Sequence, residues 1–152
     1  MGLMSIQFPG SNRDSVPFPE RLAFAWISMM LIVRDAFDGV RRFSDFQRSL
    51  GVSRGILATR LRRLVALGIL QPSPASESSY QEYTLTDKGR ALFPVVVGLR
   101  QWAEGHCFAP GEPHSVLVDT RTSQPVGRLQ VRSTAGRALT DADTTVKKVV
   151  RN

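Results

Sequence analysis

Cysteine is almost missing from this chain of 152 residues, which contains only Cys107. A lone thiol excludes an intramolecular disulfide, a CxxC redox pair and a cysteine-rich zinc site, and it favours a cytoplasmic location. Histidine is nearly as scarce. His106 and His114, eight residues apart beside Cys107 and without a carboxylate pattern, fit no metal-ligand geometry, so no metal and no cofactor is expected. Long hydrophobic runs are lacking too: AFAWISMMLIV, residues 23–33, is too short to span a bilayer and is flanked by Arg21 and Arg34. The N-terminus has no signal-peptide layout, and in MGLMSI Ile6 stands where a myristoylation site requires Ser or Thr. No nucleophile elbow, paired-carboxylate spacing or phosphate loop can be found. Lys88, Gly89 and Arg90 read as an ordinary helix start, so an enzyme is not expected.

What the chain does carry is arginine. The formal charge is +7 with a pI near 10.7, and no lysine precedes Lys88. Eight arginines fall between Arg34 and Arg63 against three aspartates, so most of the net charge sits there. A solvated helix face is the ordinary reading of such a run. Guanidinium forks, however, suit phosphate oxygens and the O6/N7 edge of guanine better than an ammonium does. With 42% hydrophobic residues the chain can also bury a core, so it is not a disordered basic tail. DNA, RNA or an anionic membrane surface are the candidate partners that charge alone allows.

The arginines lie on a recognisable scaffold, RRFSDFQRSLGVSRGILATRLRRLVALGIL, residues 41–70. Ser44 and Gln47 form a capping-box pattern that predicts a helix from Ser44 to about Leu50, with Phe46 and Leu50 as its apolar face. Gly51 supplies a left-handed stop, Val52 turns inward, and Ser53 can cap a second helix running to about Leu67. In that helix Leu57, Leu61 and Leu64 recur at i, i+4, i+7 and face the core, while Arg54, Gly55, Ile56, Thr59, Arg60, Arg62 and Arg63 lie beside or opposite them. Gly68 ends it. Two short helices joined by a tight glycine turn, the second presenting arginines, are shaped to enter a DNA major groove.

Around this pair the chain reads in order as follows. Residues 1–16 lack periodicity and are expected to be a flexible arm. Pro19 can occupy the first turn of a helix reaching about Phe37, apolar on nearly every side and therefore expected to face the core on one side and a second subunit or a ligand on the other. Phe24, Trp26, Met29, Met30 and, from a later helix, Trp102 are the residues expected at this effector pocket or dimer seam. Val40 to Phe43 reads as a short strand, Ile69 to Gln71 and Tyr80 to Leu85 as two strands of a wing. Thr86 or Asp87 caps a further helix that Pro94 should kink or break near Ala91 to Phe93, with Leu92, Val96, Leu99 and Trp102 or Ala103 as its apolar face. Beyond Pro110, HSVLVDT, GRLQVRS and TTVKKVV alternate β-branched with polar residues and suggest a small β unit with seven basic and four acidic residues, read as a solvated edge rather than a second DNA contact. The fold class is thus mainly α with a small β wing (α+β), plus a C-terminal β-rich extension.

The phrases LIVRDAFDGVRRFSDFQRSLGVSRGILATRLRRLVALGIL and EYTLTDKGRALFPVVVGLRQW together resemble the HxlR-type winged helix-turn-helix transcription regulators, relatives of the MarR group, over about residues 15–105. The resemblance implies a bacterial cytoplasmic homodimer, nucleoid-associated when bound to double-stranded DNA at a pseudo-palindromic operator. It also implies that the first and last helices build the dimer, that the helix at Ser53 to Leu67 reads the major groove, and that the wing approaches the minor groove or phosphates. Most such proteins repress, and several respond to reactive chemicals or small ligands. On this basis residues 17–106 are the DNA-binding and dimerisation domain and 107–152 the extension. The expected DNA-binding residues are Arg41, Arg42, Ser53, Arg54, Gly55, Ile56, Thr59, Arg60 and Arg63.

The sequence departs from that pattern in several places. Ser15 stands where many relatives carry a sensing cysteine, and Ser28 aligns with a usual tryptophan while Trp26 lies two residues earlier. The wing has no arginine and carries Glu77 and Glu82, an awkward charge for a minor groove. The C-terminal segment lacks the cysteine pairs of a zinc-ribbon-like tail in some relatives and is expected to be a metal-free remnant. The acidic wing also motivates a second reading, a winged-helix fold serving as a small-molecule sensor or protein-interaction module with weak DNA affinity.

Overall fold

In the computed structural model of the chain, residues 18–74 and 80–147 are described, with side chains from Ile27 onward and excepting Pro74. The chain forms two compact units, one ending at Phe93 and one beginning at Pro94. The expected N-terminal arm and the tip of the wing, with Glu77, lie outside the described residues.

Helix α1 spans Phe18–Phe37. Proline in its first turn removes no intrahelical bond, because the leading N–H groups of a helix have no intrahelical acceptor. Met29, Ile32 and Val33, spaced i, i+3, i+4, are buried, whereas Ile27 (64%) and Leu31 (39%) stay exposed. A helix apolar on most sides therefore buries one face within its own unit. Near its end Asp35 is buried and takes two hydrogen bonds from the Arg34 guanidinium, at 2.9 and 2.6 Å.

Helix α2 covers Phe43–Leu50, and here the expected capping box does not form. The N-cap is Arg42, extended and without a side-chain cap, and Ser44 lies inside the helix. Strand pairing sets the start instead: Tyr83 N–H donates to the Arg41 carbonyl at 2.9 Å, Arg42 bridges Glu82, and the Arg42 carbonyl accepts from Asp45 and Phe46 at 3.1 Å. The short strand expected at Val40 to Phe43 is thus a single bridge. Gly51, with φ 61°, ends α2, and the Ser53 hydroxyl caps α3, Arg54–Ala66, by accepting from Ile56 N–H at 3.4 Å. Leu57, Leu61 and Leu64 are fully buried as their spacing predicts. At the far end Gly68 N–H donates to Val65 and Ile69 N–H to Leu64, a Schellman closure that needs the left-handed Gly68.

The wing is an antiparallel pair, β1 Leu70–Pro74 and β2 Gln81–Leu85, in register with Leu70 opposite Leu85. β1 runs further than the sequence suggests because pairing carries it to Pro74. The Thr86 hydroxyl caps the short helix α4, Asp87–Arg90, by accepting from Gly89 N–H at 3.0 Å while it donates to the Gly68 carbonyl at 2.5 Å. The break expected before Pro94 falls at Ala91 and Leu92, and α5 then runs Phe93–His106 with the proline in its first turn.

In the second unit α5 buries Val96 and Val97, not the broader face expected: Leu99 (51%) and Trp102 (58%) are exposed. The alternating segments beyond Pro110 form no strands among the described residues, only the bridges Val118↔Pro125 and Arg132↔Ala138, each closing a tight turn. Proline at the first bridge cannot donate to a ladder, and the β-branched residues Val116, Val118, Val126 and Val131 remain exposed, so little drives the pairs to extend. Gln101 ties this segment to α5, its side chain donating to the Gly127 carbonyl at 3.0 Å and accepting from Leu129 N–H at 2.7 Å.

Candidate nucleic-acid interface

The projecting surface of the first unit is the face of α3 turned away from its leucine stripe. Projection of a 3.6-residue period from Leu57, Leu61 and Leu64 puts Gly55, Thr59, Arg62 and Ala66 farthest from the core, with Arg63 next to them. All five are exposed. A Cβ built on Gly55 would meet nothing within 4 Å, so the first turn of α3 is bare and a flat surface could approach it closely. Thr59 bonds back to the Gly55 carbonyl at 3.0 Å and accepts from the Arg62 guanidinium at 3.4 Å, which steers that arginine along the helix.

Arg62 is the residue that the expected set left out. The leucine spacing itself would have found it, since position 62 lies opposite the stripe. Arg60, included in that set, lies on the flank with Ile56, and both are half-buried. Desolvation by burial pushes the Arg60 guanidinium below its ordinary value, but an arginine stays charged at neutral pH. Ser53 serves as a cap with its hydroxyl already engaged. Arg54, on the first turn, lays its guanidinium 5.4 Å from the centroid of the Phe43 ring, a cation–π contact that ties the start of α3 to the start of α2.

Arg41 and Arg42 are exposed at the junction of α2 and the wing. Glu82 of β2 pairs with Arg42, Nε to carboxylate at 3.5 Å. The acidic wing therefore directs one of its carboxylates to its own arginine. Within the described part of the wing no other carboxylate is present.

Of the residues expected at an effector pocket or seam, Met29 and Met30 line a cavity of about 240 Å³ in the first unit. The side chains of Phe24 and Trp26 lie outside the described ones. Trp102 is exposed on α5, its ring 5.5 Å from that of His106. His114 stacks on Phe108 at 4.8 Å, and among the described residues no three His, Cys, Asp or Glu side chains gather as a metal site would require. No helix among those residues is long and apolar enough to cross a membrane.

A capped helix pair, a solvent-facing arginine face on the second helix and a two-stranded wing define the winged helix-turn-helix class, the DNA-binding domain of transcriptional regulators. The chain belongs to the HxlR-like helix-turn-helix family, whose pattern residues 25–109 match. It is 45% identical over 85 residues to the uncharacterized HTH-type transcriptional regulator MT3179 of Mycobacterium tuberculosis, an alignment covering 55% of this chain and 54% of that protein. The chain thus spans about half the length of the first curated relatives it matches. Its backbone is similar to the crystal structure of PA1607, a candidate transcription factor, with 48% identity, a TM-score of 0.75 and coverage of 90% of this chain and 97% of that one. It is also similar to PA1374 of Pseudomonas aeruginosa, another candidate transcription factor, with 32% identity, a TM-score of 0.60 and coverage of 86% and 88%. These relatives are regulators, not enzymes.

Proposed function

We propose that this protein represses transcription as a homodimer bound to a pseudo-palindromic operator, with residues 17–106 as the binding and dimerisation part and 107–152 as an appended, metal-free extension. The observation that carries the reading is the arginine-bearing face of α3, held rigid by three buried leucines and a side-chain cap. In this reading Arg41, Arg42 and Arg54 anchor phosphates, Gly55 lets the backbone approach, Thr59, Arg62 and Arg63 reach base edges, and Arg60 and Ile56 fill the flank, Ile56 against a thymine methyl. Two exposed apolar rows support the dimer: Ile27 and Leu31 on α1, and Val95, Leu99 and Trp102 on α5, each at helical spacing. The site of action is the cytoplasm, at the nucleoid.

Selection of bound sequences from random DNA, followed by salt titration, tests the reading. Recovered half-sites should lie about one helical turn apart, roughly 10 bp. Arg62→Ala and Arg63→Ala should each lower specific affinity by about 1 to 3 kcal/mol, roughly 5- to 150-fold, if they read bases, in a protein that still folds. Unchanged affinity in both variants removes α3 as the reading helix. A second reading, a sensor or interaction module with weak DNA affinity, is favoured by the Arg42–Glu82 pair, and no mobility shift at moderate salt by a folded dimer would select it.

A further inference from the structure

Thr59 and Arg62 are joined in a way that limits what each can offer to a base pair. The Thr59 hydroxyl donates back to the Gly55 carbonyl at 3.0 Å and accepts from Arg62 Nη2 at 3.4 Å. Back-bonding of this kind turns the hydroxyl of a threonine into its own helix, so the methyl is the group left to face solvent. Thr59 is exposed, and a Cβ on Gly55, one turn earlier, would meet nothing within 4 Å, so the approach to that methyl is open. Arg62, three residues on, shares the same face. α3 contains no carboxylate, and no ion pair among the described residues involves Arg62, so the restraint on its guanidinium is Thr59. A guanidinium has five N–H donors; the threonine takes one, which leaves a fork able to face O6 and N7 of guanine.

We propose that Arg62 reads a guanine, that the Thr59 methyl reads the thymine of an adjacent base pair, and that Thr59 is also the positioning residue for Arg62. The assignment rests on the DNA-binding reading above. The spacing suits neighbouring steps: successive base pairs rise by about 3.4 Å, which matches the 3.4 Å from the guanidinium nitrogen to the threonine oxygen. The fork tells guanine from adenine because adenine presents a donor, its N6 amino group, where guanine presents the O6 acceptor. The threonine methyl tells thymine from cytosine by apolar contact with the C5-methyl group. An arginine already tethered also loses less rotamer freedom on binding than a free one, so the tether strengthens the preference for guanine and leaves phosphate contacts as they are.

The test uses duplexes carrying the site recovered by selection from random DNA, with the affinity of the full chain read by fluorescence anisotropy. Wild type should prefer guanine to adenine at one position by roughly 5- to 150-fold; Arg62→Ala should lose that preference, and Arg63→Ala should keep it. Replacing that guanine by 7-deazaguanine, which lacks N7, should weaken wild type and leave Arg62→Ala unaffected. Deoxyuridine in place of the adjacent thymine removes only the methyl, and should weaken wild type and Thr59→Val by about fourfold, the worth of one buried carbon, while Thr59→Ser is indifferent. Thr59→Val keeps a methyl and removes the tether, so its guanine preference should fall by about three- to tenfold with unchanged affinity for non-specific DNA. Thr59→Ser restores the tether and should restore that preference, which a merely structural role would not predict. An unchanged guanine preference in Arg62→Ala overturns the assignment, an unchanged one in Thr59→Val overturns the positioning role, and wild type indifferent to deoxyuridine overturns the thymine contact. All three leave the DNA-binding reading standing. A folded protein that recovers no sequence at all removes that reading and the inference with it.

Discussion

Gly89→Ala should be among the most damaging single methyl additions in the first unit. A Cβ at this position would lie 2.2 Å from the Ile69 carbonyl oxygen and 3.0 Å from Leu85 Cδ2, against the 3.4 Å at which ordinary contact begins. The leucine methyl can rotate away, but the carbonyl is backbone at the start of the wing, and it accepts from Thr86 N–H at 3.1 Å. Relieving the clash means separating α4 from the strand it rests on. Overpacking of this kind costs about 1 to 3 kcal/mol, and stranding the Thr86 and Ile69 groups adds about 1 to 3 kcal/mol. The lower backbone entropy of alanine returns about 0.5 to 1 kcal/mol. A net loss of about 1 to 5 kcal/mol is expected, a large share of the roughly 5 to 15 kcal/mol by which such domains are stable. Urea unfolding followed by far-ultraviolet circular dichroism measures it. Gly55→Ala is the control, because a Cβ there meets nothing and alanine favours the helix, so stability should hold or rise slightly. Equal midpoints for Gly89→Ala and wild type would refute the close approach of α4 to Ile69.

Glu82→Gln should release Arg42 from its partner at 3.5 Å, tightening DNA binding severalfold and steepening the log–log salt dependence by about one unit as one more phosphate contact forms, read by fluorescence anisotropy across salt. Leu99→Glu, which places a charge in the exposed row of α5, should convert the proposed dimer to a monomer in light scattering while leaving the helix content intact. Asp143 is held below the ordinary aspartate value by the Thr140 backbone N–H first, then by the Thr140 hydroxyl and Arg137. Its folded value is the lower one, so its contribution is full above the unfolded value and is lost as pH falls through the folded value. The Thr140 amide should therefore lose its hydrogen-bonded NMR shift only at pH below the usual aspartate range.

Where an element's boundaries depend on its own residues, the sequence was sufficient. The i, i+4, i+7 leucines, Gly51, Ser53 and Gly68 each act within one turn of chain, and the structure puts all of them to the use their chemistry suggests. Where a boundary is decided by a distant segment, local chemistry misleads. Ser44 and Gln47 could have capped α2, but Arg41 and Arg42 are already paired to β2, and that pairing brings the helix in one residue early. The C-terminal segment fails for the reverse reason: alternation is present, yet without a surface to bury one face it closes only two bridges.

The candidate site divides along the same line. Which face of α3 projects follows from counting around the leucines, and that count favours Arg62 over Arg60 as the outward side chain. The charge of the wing does not follow from counting. Glu82 stands out in sequence because it sits on a strand that the proposed reading brings to an anion, and its partner Arg42 is forty residues away. With the two side by side, the carboxylate offsets one arginine; in the proposed DNA-binding role it would act as a brake on Arg42 and not as a repulsive charge aimed at a groove. A brake of this kind lowers affinity for every DNA sequence alike, since Arg42 is assigned to phosphate and not to bases. It would thereby leave discrimination to α3, and its removal should tighten non-specific and specific binding by the same factor.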